Sequence, residues 1–125
     1  MKSQYDIVVV GGGPGGSMAA KYAASAGVSV CLLEKTRDIG YPVRCGEAIG
    51  ENGLKQFVEP KKSWIAETIT ACTLVAPNDT KVDIQFTHEL GYILNRRIFD
   101  YDLSRIAADE GAEIYTKAYV YGLLF

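Results

Sequence analysis

Apolar residues along the chain fall into runs of two kinds, continuous and spaced, and the boundaries between them are glycines, prolines or charges. Tyr5–Val10 predicts a strand, its apolar run Ile7-Val8-Val9-Val10 as expected of a buried parallel strand. Pro14–Ala26 predicts a helix, with Met18, Ala19, Tyr22, Ala23 and Ala26 on one face and Gly27 as its stop. Ser29–Leu33 is a second apolar strand, and Lys35–Gly46 is a polar loop. Glu47–Val58 reads as a short helix broken at Gly50 and Gly53, followed by a hinge at 60–63. Thr68–Ala76 and Lys81–Phe86 predict strands joined through Pro77-Asn78-Asp79-Thr80, which has hairpin-turn chemistry. Tyr92–Leu94 is a further short strand. Asn95 is placed to cap a helix over Arg96–Glu110, whose apolar face is Phe99, Leu103, Ile106 and Ala107. Gly111 ends it. Ala112–Thr116 predicts a third parallel-type strand, and Ala118–Leu124 the start of another.

The order is β-α-β, an antiparallel insertion, then α-β. Right-handed crossovers set the three parallel strands in the order 3-2-1, with strand one at an edge. The fold class expected is therefore α/β, a Rossmann-like parallel sheet of the ββα flavoprotein type with an inserted antiparallel segment. Residues 1–59 and 95–125 form the nucleotide-binding part, and 60–94 the insertion, which belongs to a substrate domain. An insertion here departs from the plain nicotinamide-dehydrogenase plan and suggests FAD. The chain stops inside the apolar run Tyr121–Phe125, so it reads as a truncated N-terminal portion with an incomplete FAD-binding domain.

The strongest chemical signal lies between the first strand and the first helix. Gly11, Gly13 and Gly16 satisfy G-x-G-x-x-G, within the run Gly11-Gly12-Gly13-Pro14-Gly15-Gly16. Gly11 permits the tight turn, Gly13 lets a pyrophosphate approach the backbone, and Gly16 lets the helix pack close to the strand. The helix start then offers N–H groups and a positive dipole end to phosphate. Glu34 ends the second strand, where a carboxylate accepts both hydroxyls of an adenosine ribose and repels a 2′-phosphate.

Charge and cysteine content narrow the alternatives. Lys plus Arg is 13 and Asp plus Glu is 15, for a net charge of −2; bulk charge gives no support for nucleic-acid binding. No apolar stretch reaches the ~18 residues of a membrane span. Cys31, Cys45 and Cys72 are odd in number and widely spaced, which suits a reducing cytoplasm and gives no metal-ligand pattern.

Taken in order, Tyr5-Asp6 through Gly16-Ser17, Glu34-Lys35, Ile39-Gly40 and Pro42-Val43-Arg44-Cys45-Gly46-Glu47 resemble the archaeal-type geranylgeranyl reductases. Tyr92-Ile93-Leu94-Asn95-Arg96, Phe99-Asp100, Leu103 and Gly111-Ala112 continue the resemblance. That family sits in the FAD superfamily typified by p-hydroxybenzoate hydroxylase. The nucleotide-binding pieces are common to the superfamily, and the Arg-Cys-Gly-Glu segment is more specific. The resemblance implies an FAD-dependent oxidoreductase that saturates isoprenoid double bonds, as in archaeal membrane lipids. It implies cofactor contacts for Gly11, Gly13, Pro14, Gly15, Gly16, Glu34, Lys35, Arg44, Cys45, Arg96 and Val120. Arg44 and Cys45 would lie under the flavin, Arg96 would meet phosphate or ribityl groups, and Val120 would touch adenine through its backbone. The substrate would be an isoprenoid lipid. The electron donor stays open between a nicotinamide, a ferredoxin and another reductant. The family's later Gly-Asp segment would lie beyond Phe125, and its aromatic substrate-pocket motif is not among these residues.

Several residues carry two readings. Cys45 is a candidate catalytic thiol beside the flavin, or a small buried hydrophobe. Arg44 is a phosphate or flavin fork, or a solvated loop charge. Arg96 and Arg97 compete for the phosphate role, and Arg96 fits the family pattern. His88 is the only histidine and makes no metal site alone. Lys55, Lys61, Lys62 and Trp64 either lie on an anionic membrane, making a cytoplasmic protein peripheral to it, or form a solvated hinge over a buried indole. Two other functions remain open. A flavin monooxygenase would share the glycine turn, Glu34 and Arg96, and an adenine-nucleotide-binding fragment would have no catalysis of its own.

Overall fold

The computed structural model describes residues 2–124; the last residue of the apolar run, Phe125, lies outside the described residues. The elements in chain order are β1 (Ile7–Val10), α1 (Pro14–Ser25), β2 (Val30–Leu33), β3 (Ala48–Gly50), α2 (Glu51–Lys55), a 3₁₀ turn (Lys62–Trp64), β4 (Ile65–Ile69), β5 (Ala71–Val75), β6 (Lys81–Gln85), β7 (Gly91–Leu94), α3 (Arg96–Asp109) and β8 (Glu113–Tyr115). They form two compact units, residues 1–43 with 96–125, and residues 44–95.

In the first unit β1, β2 and β8 make a parallel sheet in that order, so β1 is an edge strand, as the crossover rule requires. Ile7 pairs with Val30, and Cys31 with Glu113. The central strand is closed off: Val30, Cys31 and Leu32 are at most 1% exposed. The alternation of β strands sends Val30 and Leu32 to one face. There they meet Ala20 and Ala24 of α1, Ala107 of α3, and Ala112, with Val9, Ala23 and Ile114 packed at the margin. The buried side of α1 is thus Ser17, Ala20 and Ala24, not the Met18–Tyr22–Ala26 face expected. Tyr22 stands 50% exposed. The helix is small or apolar nearly all round, so periodicity cannot choose its inner face; closeness can. Alanines and a serine let α1 lie against both the sheet and α3, where a larger side chain would hold it off.

The opposite face is lightly covered. Val8 and Val10 are 51% and 60% exposed. Nearer β8, Glu113 gathers Tyr5 and Tyr115, each donating a 2.6 Å hydrogen bond to Oε2, and Lys2, whose Nζ lies 2.6 Å from Oε1. The run Ala118–Leu124, expected to open another strand, forms none. Its apolar side chains find no sheet: Tyr121 and Leu123 are 93% and 74% exposed.

The second unit is antiparallel. β7 lies between β3 and β4, and β5 pairs with β6 in a separate hairpin. It begins earlier than the 60–94 expected, because Ala48–Gly50 pairs with Gly91–Ile93 instead of turning as a helix. Helix follows only over Glu51–Lys55, through Gly53. The single strand expected over 68–76 is two strands, parted at Thr70 and belonging to different sheets. The turn between β5 and β6 is as read: Asp79 has φ 64°, and Thr80 N–H donates to Asn78 Oδ1 at 3.2 Å. Trp64 is fully buried, with Lys61 Nζ 4.8 Å from its ring centre.

Two outcomes follow for the first unit. A Cβ on Gly16 would stand 1.9 Å from the Gly11 carbonyl oxygen. Gly16→Ala is expected to cost about 1–3 kcal/mol of stability, read as a lowered midpoint in urea; an unchanged midpoint contradicts the packing described. The three donors hold the Glu113 carboxyl at about 2, with Lys2 first, then Tyr115 and Tyr5. A lowered folded-state pKa means the tie is intact above the ordinary value of 4.5 and is lost as pH falls toward 2. NMR should show residues 2–5 loosening in that window, and Glu113→Gln should loosen them at neutral pH. Tyr5 and Tyr115 resonances indifferent to both would contradict it.

Candidate dinucleotide-binding site

The turn between β1 and α1 is built on backbone rather than side chains. Gly11 takes φ +104°, a region L side chains rarely adopt, and its N–H donates to Leu33 O at 2.8 Å. The chain thereby leaves β1 while still tied to β2. Gly16 then lies on the Gly11 carbonyl, with Val9 Cγ1 at 3.4 Å from where its Cβ would be. Both glycines do what their spacing implied for the turn and the helix contact.

Gly13 is different. Its φ of −71° is ordinary, and a Cβ there would meet nothing within 4 Å; the same open space faces Gly15. The protein's own packing does not require glycine at 13. The open side is the start of α1, where Gly13 is the N-cap without a side-chain cap and Pro14 fills the first turn. The first-turn N–H groups of Gly15 and Gly16 precede any intrahelical acceptor, and Ser17 N–H is the first to bond back, to Gly13 O at 2.9 Å. A cradle without side chains, lined by backbone donors at a positive helix end, fits a pyrophosphate.

Glu34 closes the other side. Its Oε2 accepts from Gly12 N–H at 2.7 Å, and its Oε1 from the Thr36 N–H and hydroxyl, both at 2.8 Å. Burial pushes its pKa up, but the hydrogen bonds from Thr36 and Gly12, with the Lys35 charge, outweigh that and leave it lowered. The carboxylate is therefore charged at neutral pH and fixed in place. Oε1 already accepts two donors, while Oε2 accepts one and retains room for another, so a ribose hydroxyl fits at Oε2. After β8 the backbone returns to the same spot: Lys117 N–H donates to Thr36 O and Ala118 N–H to Glu34 O, at 3.0 and 2.9 Å. Val120, half-buried, follows two residues later. Lys35 is exposed.

Arg96 lies at the start of α3. Its Nε and one terminal nitrogen form a fork with Asp100, at 2.7 and 2.8 Å. Asp100 is 3% exposed. The chain packs tightly against this first turn, since a Cβ on Gly40 would stand 2.6 Å from Arg96 O. Arg97 instead lies over the Tyr41 ring, 5.4 Å from its centre. Sequence reasoning missed Asp100 and Thr36 as partners. The i, i+4 spacing of Arg96 and Asp100 was the available signal for the first. Arg44 and Cys45 open the second compact unit, and both are exposed. That removes the buried-hydrophobe reading of Cys45, whose Sγ accepts from Glu47 N–H at 3.4 Å. Cys31 is core, and His88 is exposed. Among the described residues no group of three or more His, Cys, Asp or Glu could hold a metal.

A model of the FAD-dependent oxidoreductase family matches residues 6–40, the stretch from β1 past Glu34. The digeranylgeranylglycerophospholipid reductase of Methanocella arvoryzae is 46% identical to 99% of this chain, over 32% of its own length. The reductase of that name from Methanoculleus marisnigri is 47% identical to 94% of the chain, over 30% of its own. A geranylgeranyl bacteriochlorophyll reductase-like crystal structure from Thermoplasma acidophilum superimposes with a TM-score of 0.82 at 39% identity, covering 90% of this chain and 30% of that one. Over these residues the chain is similar to geranylgeranyl reductases. This bears out the resemblance to the geranylgeranyl reductases as a whole. The chain spans about a third of the length of the proteins it matches. Its flavoprotein fold is also that of the halogenase PltM, at 18% identity and a TM-score of 0.73, a distance at which fold alone is shared.

The Glu34 geometry sets a pH dependence. A lowered folded-state pKa keeps the carboxylate's hydrogen bonds above the ordinary 4.5 and releases them as pH falls through the folded value. In this protein the Gly12 and Thr36 amide resonances should hold steady down to that value and move below it. Movement at neutral pH would contradict the bonding described.

Proposed function

We propose that this protein is an FAD-dependent oxidoreductase that reduces double bonds of geranylgeranyl chains on a glycerophospholipid, as in archaeal membrane lipid synthesis. The observation that carries the reading is the 46% identity to a digeranylgeranylglycerophospholipid reductase along 99% of this chain. The cradle supports it independently: Gly13 is open where a pyrophosphate would lie, and Glu34 is charged and held where a ribose would lie. The monooxygenase reading has only the shared fold behind it.

The cofactor these residues would hold, FAD, would supply hydride chemistry for reducing an alkene. This chain's residues hold the other end of the cofactor. Backbone N–H groups at the start of α1, together with Pro14, Gly15 and Gly16, take the pyrophosphate. Glu34 orients the adenosine ribose, with Lys35 beside it, and the backbone near Val120 borders the adenine. Arg96, braced by Asp100, is the phosphate or ribityl contact. Arg44 and Cys45 are assigned to the flavin side, and Cys45 is the candidate proton source. The lipid substrate supports a cytoplasmic protein working at the membrane surface.

The test is anaerobic turnover of the full gene product, reduced with dithionite and given digeranylgeranylglycerophospholipid. Mass spectrometry should show a gain of two hydrogens per saturated double bond. Oxygen insertion, or an unaltered lipid with flavin bound and reduced, contradicts the reading. Gly13→Val should fold as the parent does, since its φ is ordinary and its surroundings are open, yet lose FAD and ADP. Parent-like nucleotide binding by that variant would overturn the cradle. Glu34→Ala should weaken ADP binding by ~1.5–3 kcal/mol; unchanged calorimetric affinity would remove the ribose role.

A further inference from the structure

Glu34 can reject a 2′-phosphate only if it cannot turn away from one. A glutamate side chain has three rotatable bonds, and a free one would swing toward solvent when a dianion approached. What prevents this here is the set of three donors on its two oxygens. Gly12 N–H holds Oε2 at 2.7 Å, and that donor belongs to the glycine turn itself. Both remaining donors come from one residue, Thr36, at 2.8 Å to Oε1.

The Thr36 hydroxyl has one proton and two acceptors in reach, Glu34 Oε1 at 2.8 Å and the Asp38 carbonyl at 3.1 Å. The carboxylate is nearer and charged, and charge-assisted bonds are the stronger kind. Thr36 also accepts Lys117 N–H on its carbonyl. One residue thus fixes the carboxylate and anchors the returning chain.

We infer that Thr36 is a positioning residue that sets the ribose specificity of this site by locking the Glu34 carboxylate against rotation. The inference rests on the nucleotide-binding reading above. Thr36 touches no phosphate or base; it acts through Glu34.

Thr36→Val keeps the β-branched shape and the backbone N–H and deletes only the hydroxyl. The experiment measures dissociation constants of ADP and of 2′-phosphorylated ADP by calorimetry, and titrates the Glu34 carboxyl by NMR. Thr36→Val should weaken ADP about threefold to tenfold and narrow the preference for ADP over its 2′-phosphorylated form, from the loss of one hydrogen bond to a charged group. Glu34 should titrate higher in the variant. Thr36→Ser should restore all three readouts, which a purely structural defect would not allow. Thr36→Val with the parent's nucleotide preference and Glu34 titration overturns the inference. A variant that raises the Glu34 titration in a protein binding neither nucleotide overturns the nucleotide site, and the specificity role with it, while leaving the hydrogen-bonded geometry standing.

Discussion

The approach of Gly16 to the Gly11 carbonyl is the constraint on which the first unit depends. A methyl group at Gly16 would stand 1.9 Å from that oxygen, so α1 can lie where it does only on a bare Cα. That position brings Ala20 and Ala24 down onto Val30 and Leu32 and leaves room for Ala107 of α3 in the same core. It also aims the start of α1 at the open space beside Gly13. Core packing and the anion cradle are therefore one arrangement seen from two ends.

The carboxylate at the end of β2 completes it. Gly12 N–H bonded to Glu34 ties the glycine turn to the second strand across 22 residues of sequence. Thr36 holds the other oxygen, and the chain after β8 returns to the carbonyls of Glu34 and Thr36. The charge on Glu34 survives partial burial because the Gly12 and Thr36 donors face it. Arg96 is treated the opposite way. Its fork is closed onto Asp100, which fixes the start of α3 and compensates a buried carboxylate that would otherwise be costly to enclose.

Much of this was legible in the sequence because the signals were local. Gly11, Gly13 and Gly16 carry their spacing on their face, the β-α-β order follows from run lengths, and handedness supplies the strand order. The inner face of α1 was not legible. Small and apolar residues surround the helix, so no stripe stands out, and the choice was made by contact with α3, far along the chain. The strand at 48–50 was hidden for a similar reason, since Ala48-Ile49-Gly50 is a strand only through Gly91–Ile93. Ala118–Leu124 has strand composition but no partner strand among the described residues, and composition without a partner does not make a sheet. Thr36 and Asp100 were missed because each acts on a neighbour already singled out.

The central claim is that the Gly11–Gly16 turn and Glu34 form one adenine-dinucleotide site. A crystal structure with ADP tests it most directly. The account predicts pyrophosphate oxygens within hydrogen-bond reach of the Gly15 and Gly16 N–H groups, and a ribose hydroxyl donating to Glu34 Oε2. ADP bound elsewhere on the chain, or seated with its ribose turned away from Glu34, would contradict it.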